Sequence, residues 1–146
     1  MYEFLDYQVQ DVMSRAVCVR GETTLAEVEM LLEKHGWNGA PVVDEADRLV
    51  GFVTALDLFK AFDFSEDTIL PSYEHVLATQ VSEVVSRDLI TVCPRTPLTR
   101  VLQKLVDTGV KSFPVVDDDR VVGVIARQDV MAALRRAADG KRPDPA

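Results

Sequence analysis

The chain has 146 residues, 47% hydrophobic and 27% charged, and its 16 Lys and Arg against 24 Asp and Glu leave a net charge of −8. That balance is globular, fits one ordinary domain or two small units sharing a core, and sets up a negative field that disfavours non-specific contact with nucleic acid or anionic membranes. The apolar runs are too short to span a bilayer and the N-terminus lacks a basic-then-apolar signal pattern, so the expected compartment is cytoplasmic.

The patterned part opens with Val9-Gln10-Asp11-Val12-Met13-Ser14-Arg15. Val17 to Val19 reads as a short strand. Thr24-Leu25-Ala26-Glu27 is a capping box, in which the Thr24 hydroxyl accepts from the amide three residues on and Glu27 reaches back. Leu25, Val28, Leu31 and Leu32 then form one helical stripe, and Gly36 stops it. Pro41-Val42-Val43, the polar turn Asp44-Glu45-Ala46-Asp47 and Leu49 to Val53 make a β-hairpin. It runs into a helix from Ala55 to Phe62. A connector over 63–80 contains Pro71, with a helical stretch expected at Glu74 to Ala78.

The same order then returns. Val81-Ser82-Glu83-Val84-Val85-Ser86-Arg87 repeats the opening motif. Thr96 is the expected cap, with Pro97 at the first helical position. Leu98, Val101, Leu102 and Leu105 form the stripe and Gly109 ends it. Pro114-Val115-Val116, the turn Asp117-Asp118-Asp119 and Val121 to Ile125 repeat the hairpin. A helix from Gln128 to Arg136 follows. The tail, residues 139–146, carries Gly140, Pro143 and Pro145 and is expected to be disordered.

Two copies of a unit on one short chain imply matching half-cores. The fold class expected is α+β: two β-α-β-β-α repeats packed sheet to sheet with pseudo-twofold symmetry. The boundaries are 1–62 for the first repeat with its N-terminal segment, 63–80 for the connector, 81–138 for the second repeat and 139–146 for the tail. About 55 residues with a small sheet make a marginal core alone, so the copies are expected to fold together.

Catalytic signatures are missing. His35 ends an amphipathic helix and His75 sits in the connector. No nucleophile elbow, phosphate-binding glycine loop or zinc-binding His pair occurs. Cys18 and Cys93 read as reduced, semi-buried small hydrophobes without metal-ligand spacing. The reading is therefore not an enzyme. The informative spot is the junction of hairpin and second helix, Gly51-Phe52-Val53-Thr54-Ala55-Leu56-Asp57. Thr54 can donate a hydroxyl there and Asp57 can accept from a ribose diol, but Thr54-x-x-Asp57 is equally a plain capping box. The second copy reads Gly123-Val124-Ile125-Ala126-Arg127-Gln128-Asp129. It has lost the hydroxyl at Ala126 and kept the acid, although an acid in a first helical turn also favours the helix dipole.

In these residues the chain resembles a tandem pair of CBS domains, the arrangement called a Bateman module. The match rests on Asp11-Val12-Met13-Ser14, on Pro41-Val42-Val43-Asp44 with Gly51 to Asp57, and on their second-copy equivalents, and it covers roughly residues 8 to 136. The resemblance implies two clefts between the repeats that bind adenosine-containing ligands: AMP, ADP, ATP, S-adenosylmethionine or dinucleotides. It implies one site with Thr54 and Asp57, walled by Leu89, Ile90, Val110 and Ser112. The other holds Asp129, walled by Ala16, Val17, Asn38 and Gly39. There Ala126 departs from the usual Ser or Thr, and Arg127 or Lys111 stands in for the phosphate contact. Trp37 is placed either at the mouth of that cleft or in the core or an interface. No cofactor is required; the adenine nucleotide is a regulatory ligand. The implied partners are a second copy, as a homodimer, and an unidentified regulated protein, with neither nucleic acid nor membrane. The competing reading is a ligand-free dimerisation or interaction scaffold with decayed clefts.

Overall fold

The computed structural model describes residues 1–62 and 72–145. Pro71, the rest of 63–70 and Ala146 lie outside the described residues, so the expected connector and tail are described in part. In chain order the elements are α1 (Val9–Val12), β1 (Val19–Arg20), α2 (Leu25–His35), β2 (Gly39–Val43), β3 (Leu49–Thr54) and α3 (Ala55–Lys60). Then follow α4 (Tyr73–Leu77), α5 (Leu98–Thr108), β4 (Ser112–Asp117), β5 (Arg120–Ala126) and α6 (Arg127–Ala138). The fold is α+β with two copies of one supersecondary unit.

The chain forms two compact units, and they cut it differently from the sequence repeats. One is Val17–Leu89; the other joins Met1–Ala16 to Ile90–Ala146. The N-terminal segment expected with the first repeat thus belongs with the second. The cause is apolar burial: Phe4, Tyr7 and Val9 are buried in one cluster with Val92, Leu98, Val101, Leu105, Phe113, Val115 and Ile125.

In the unit Val17–Leu89 the strand order is β1-β2-β3. β1 pairs parallel with β2 through Val19↔Val42, and β2 pairs antiparallel with β3 from Gly39↔Thr54 to Val43↔Leu49. On β3, Phe52 bridges Ser86. This is where the second opening motif docks. Gly51 permits it, because a Cβ there would strike the Val85 side chain. The α2 capping box forms as expected: Glu27 N–H donates to Thr24 Oγ1 at 3.3 Å and Thr24 N–H to Glu27 Oε2 at 3.4 Å. Gly36 ends α2 in the left-handed region at φ 63°, which a residue with a Cβ adopts only at a cost. Leu25, Val28 and Leu32 of the helix bury against Val19, Ala40, Val42, Val53, Val76 and Val81.

The second unit repeats these relations. β4 pairs antiparallel with β5 from Ser112↔Ala126 to Asp117↔Arg120. The first strand of this copy shrinks to one parallel bridge, Val92↔Val115, and Ser14 bridges Val124 on β5. Both hairpins break register at equivalent places, Val42/Val43 and Val115/Val116. The turns differ. Asp118 and Asp119 both have positive φ, 52° and 65°, which makes a two-residue primed turn of the kind that matches strand twist. The first turn is longer, and Asp44 Oδ1 accepts from Ala46 N–H at 2.8 Å and Arg48 N–H at 3.0 Å; these amides hold its carboxyl below the usual range.

Three expectations are corrected locally. The cap of α5 is Pro97, not Thr96; the Thr96 hydroxyl instead accepts from Cys93 N–H at 3.0 Å, satisfying the preceding turn. α3 ends at Lys60 and α6 extends from Arg127 to Ala138. Residues of the described part of the tail also make contacts with the N-terminal segment. Tyr7 Oη donates to the Lys141 carbonyl at 3.0 Å, Arg142 Nε meets Asp6 Oδ2 at 2.8 Å, and the Arg136 guanidinium lies 5.7 Å from the Tyr7 ring centre.

Candidate functional site

Each hairpin delivers an acid to the first turn of the helix that follows. In the first copy, Asp57 Oδ2 accepts from Thr54 N–H at 2.8 Å and from the Thr54 hydroxyl at 3.1 Å, while Asp57 N–H donates to Thr54 Oγ1 at 3.4 Å. Asp57 is only 7% exposed. The β3–α3 junction closes over it, and it satisfies a part-buried amide.

In the second copy, Asp129 Oδ2 accepts from Ala126 N–H at 2.8 Å, and Ala126 has no side chain to answer with. Burial pushes the Asp129 carboxyl up, the Ala126 amide opposing in part. The half-box therefore leaves a carboxylate whose desolvation its local hydrogen bond does not offset.

Of the other residues read from the sequence, Gly39 stands beside Thr54 in the ladder, and Ala55 N–H donates to the Asn38 carbonyl at 3.1 Å. In the second unit Ser112 stands beside Ala126, and Arg127 N–H donates to the Lys111 carbonyl at 3.1 Å. Each junction thus adjoins the pre-proline residues of its own copy. Ser112 is 7% exposed, and Val17, Ile90 and Val110 are 37–39% exposed. Val17 and Leu89 fall in one unit; Ala16 and Ile90 fall in the other.

Arg127 does more than sequence reasoning foresaw. Its Nη2 donates to the Gly109 carbonyl at 2.6 Å and its Nε to the Val110 carbonyl at 3.3 Å. The signal was present: Gly109 ends α5 in the left-handed region at φ 68° and leaves C-terminal carbonyls that a basic side chain can satisfy.

Trp37 is half-buried and stacks on His35 with ring centres 4.2 Å apart. It helps line a groove of about 500 Å³ with Leu32, Leu58, Phe59, Phe62, Tyr73 and Leu77, rimmed by Glu29 and Glu33. Tyr73 Oη donates to Glu29 Oε2 at 2.8 Å. This groove meets the junction only at Ala55, so it does not present Thr54 or Asp57. Among the described residues, no cluster of His, Cys, Asp and Glu could hold a metal ion. No described helix is long and apolar enough to cross a membrane. Burial and the nearby Asp47 charge push the Cys18 thiol up, away from reactivity.

Comparison with known proteins places this architecture. The sequence profile of the CBS domain matches twice, over residues 9–63 and 81–136. The chain belongs to the CBS-domain family. Among solved structures it is similar to the CBS domain pair of protein MJ0100 in complex with 5′-methylthioadenosine and S-adenosyl-L-methionine. That likeness has 28% identity and a TM-score of 0.72, covering 92% of this chain and 98% of that one. It is also similar to CBSX2 in complex with AMP, with 25% identity and a TM-score of 0.75, covering 90% of this chain and 98% of the other. Among curated proteins, L-aspartate semialdehyde sulfurtransferase of Methanocaldococcus jannaschii is 31% identical over 124 residues. The match takes in 84% of this chain but spans only 22% of that enzyme. The enzyme's name therefore describes a protein of which the CBS pair is a small part.

Proposed function

We propose that this CBS pair is a regulatory module, not an enzyme. It binds adenosine-containing ligands of the AMP, ADP, ATP or S-adenosylmethionine class at its two strand-to-helix junctions and thereby controls a separate partner protein. The observation that carries the reading is Asp129, an acid kept in a part-buried position where burial raises its carboxyl and the capping hydroxyl is gone. A carboxylate held at a cost to folding is suited to receive two hydroxyl donors from a ribose. Asp57 stands in the equivalent place, with Thr54 beside it. The AMP and S-adenosylmethionine complexes of the similar pairs support the ligand class. A homodimer is part of the proposal: Leu56 and Phe59 of α3 are 60% and 72% exposed and Met131 of α6 is 52% exposed, apolar surface that a second copy would cover.

The test is a thermal-shift panel of AMP, ADP, ATP, S-adenosylmethionine and NAD, followed by calorimetry. A ligand at a hundredfold its Kd stabilises the fold by about 2.7 kcal/mol. Asp57→Asn and Asp129→Asn, which keep an acceptor for the cap amide, are each expected to weaken binding at their own junction by roughly tenfold to a hundredfold, the worth of a charge-assisted hydrogen bond. No shift with any of the five ligands would favour the competing reading, a ligand-free interaction scaffold, for which Ala126 is the supporting feature.

A further inference from the structure

We propose that Arg127 is a positioning residue that clamps the loop 109–111 beside Asp129, rather than a contact for a ligand's phosphate. The inference rests on the nucleotide reading above and assigns one residue's role within it.

Three hydrogen bonds join Arg127 to this loop. The backbone amide reaches the Lys111 carbonyl at 3.1 Å, Nη2 reaches Gly109 and Nε reaches Val110 at 2.6 and 3.3 Å. The Nε–Nη2 edge is one of the forks with which a guanidinium grips an oxyanion in pairs, and here it faces carbonyls. The loop leads straight into Ser112, buried beside Ala126 at the end of the ladder. The clamp therefore ties the C-terminal end of α5 to the first residue of α6, two residues before Asp129.

The first copy shows what the clamp adds. Its equivalent residue is Ala55, which offers only the backbone bond, to the Asn38 carbonyl at 3.1 Å. There Trp37 of the preceding loop stacks on His35, the last residue of α2, instead. The two copies thus diverge in a paired way. The first has a cap hydroxyl, Thr54, and no side-chain clamp; the second has the clamp and no hydroxyl.

Positioning and phosphate contact predict different ligand dependence. A clamp acts on the loop, so its loss weakens every adenosine ligand by a similar factor. A phosphate contact acts on charge, so its loss spares adenosine and hurts ATP most, with a shallower salt dependence. The experiment titrates the full chain, in an Asp57→Asn background, with adenosine, AMP and ATP at two salt concentrations, for Arg127, Arg127→Ala and Arg127→Gln. Hydrogen exchange of the 109–112 amides is followed in parallel. Gln places an amide nitrogen the same number of bonds from Cα as Arg Nε, so it can restore the Val110 bond without charge. The expected result is a loss of about tenfold in Arg127→Ala for all three ligands, as for one or two lost hydrogen bonds. Partial recovery in Arg127→Gln and faster exchange over 109–112 in Arg127→Ala are expected with it. A loss confined to AMP and ATP, not recovered by Gln, overturns the clamp and leaves the nucleotide reading standing. Unchanged exchange over 109–112 also overturns it. A parent chain that binds none of the three compounds overturns the nucleotide reading, and this proposal with it.

Discussion

Ser14 and Val124 exchange both of their backbone hydrogen bonds, Ser14 N–H to the Val124 carbonyl at 2.9 Å and Val124 N–H to the Ser14 carbonyl at 3.0 Å. One opening motif is thereby stitched to a hairpin more than a hundred residues away. The neighbour of Val124 makes it possible. A Cβ on Gly123 would lie 2.8 Å from both Met13 Sδ and the Ser14 carbonyl oxygen, and the second of these is backbone that cannot step aside.

Gly123→Ala is therefore expected to destabilise the protein by about 1–3 kcal/mol, the usual range for overpacking a closed contact. Gly21→Ala is the control, because its added Cβ would meet only Ser82 Cβ at an ordinary 3.4 Å. Chemical denaturation of both variants checks this. Equal midpoints for the two would mean that the motif does not dock on β5 as described.

The acid at position 57 belongs to the fold as well as to the proposed site. Asp57→Ala removes the acceptor for the Thr54 amide and hydroxyl in a part-buried junction and is expected to cost about 1–3 kcal/mol, the price of a buried donor left unpaired. Asp57→Asn retains an acceptor and is expected to cost clearly less. Urea midpoints separate the two. If the Ala and Asn variants are equally stable, the capping hydrogen bonds contribute nothing measurable.

Asp129 gives a pH prediction with a definite sign. Its carboxyl is raised in the folded state, first by burial, with the Ala126 amide opposing. Protonation is then easier in the folded than in the unfolded chain. The stability tied to it is full below the unfolded value and is lost as pH rises through the folded one. As pH falls from neutral into the carboxylate range, the parent is expected to gain stability relative to Asp129→Asn. Asp44, held below the usual range by the Arg48 and Ala46 amides, acts in the opposite direction but is common to both proteins and cancels. A stability difference that stays flat between neutral pH and pH about 4, near the ordinary carboxylate value, would contradict the burial of this group.

What the sequence revealed, and what it hid, divides by range of interaction. The caps, stripes and hairpins were legible because they depend on neighbours within a few residues: Thr24 with Glu27, Leu25 with Val28 and Leu32, Gly36 at φ 63°. The spacing of the two opening motifs was legible too, but their docking was not. Nothing near Ser14 says that its partner is Val124, or that Ser86 bridges Phe52; only Gly51 and Gly123, as residues with no side chain in a strand, hinted at close backbone approach. At the site, the equivalence of Asp57 and Asp129 followed from the repeat. The burial of Asp57 did not, because it depends on how the junction closes over its own loop, and the turning of Arg127 toward Gly109 and Val110 was signalled only by Gly109 at the end of α5.

The described end of the tail offers the last test. Tyr7 is fully buried, its hydroxyl donates to the Lys141 carbonyl at 3.0 Å, and its ring lies under Arg136. Beside it, Arg142 pairs with Asp6 at 2.8 Å, but these side chains are 64% and 52% exposed. Water and ions screen such a pair, so Arg142→Ala is expected to change stability by roughly 0–1 kcal/mol. Tyr7→Phe keeps the ring in the core and loses one hydrogen bond, about 0.5–1.5 kcal/mol. Tyr7→Ala empties a position in the cluster around Leu98 and Phe113 and is expected to cost about 3–5 kcal/mol, as for other large-to-small aromatic truncations. The ordering Ala at 7, then Phe at 7, then Ala at 142, from most to least destabilised, is read from denaturation midpoints. An Arg142→Ala loss as large as that of Tyr7→Ala would mean that the tail is held by charge and not by the buried tyrosine.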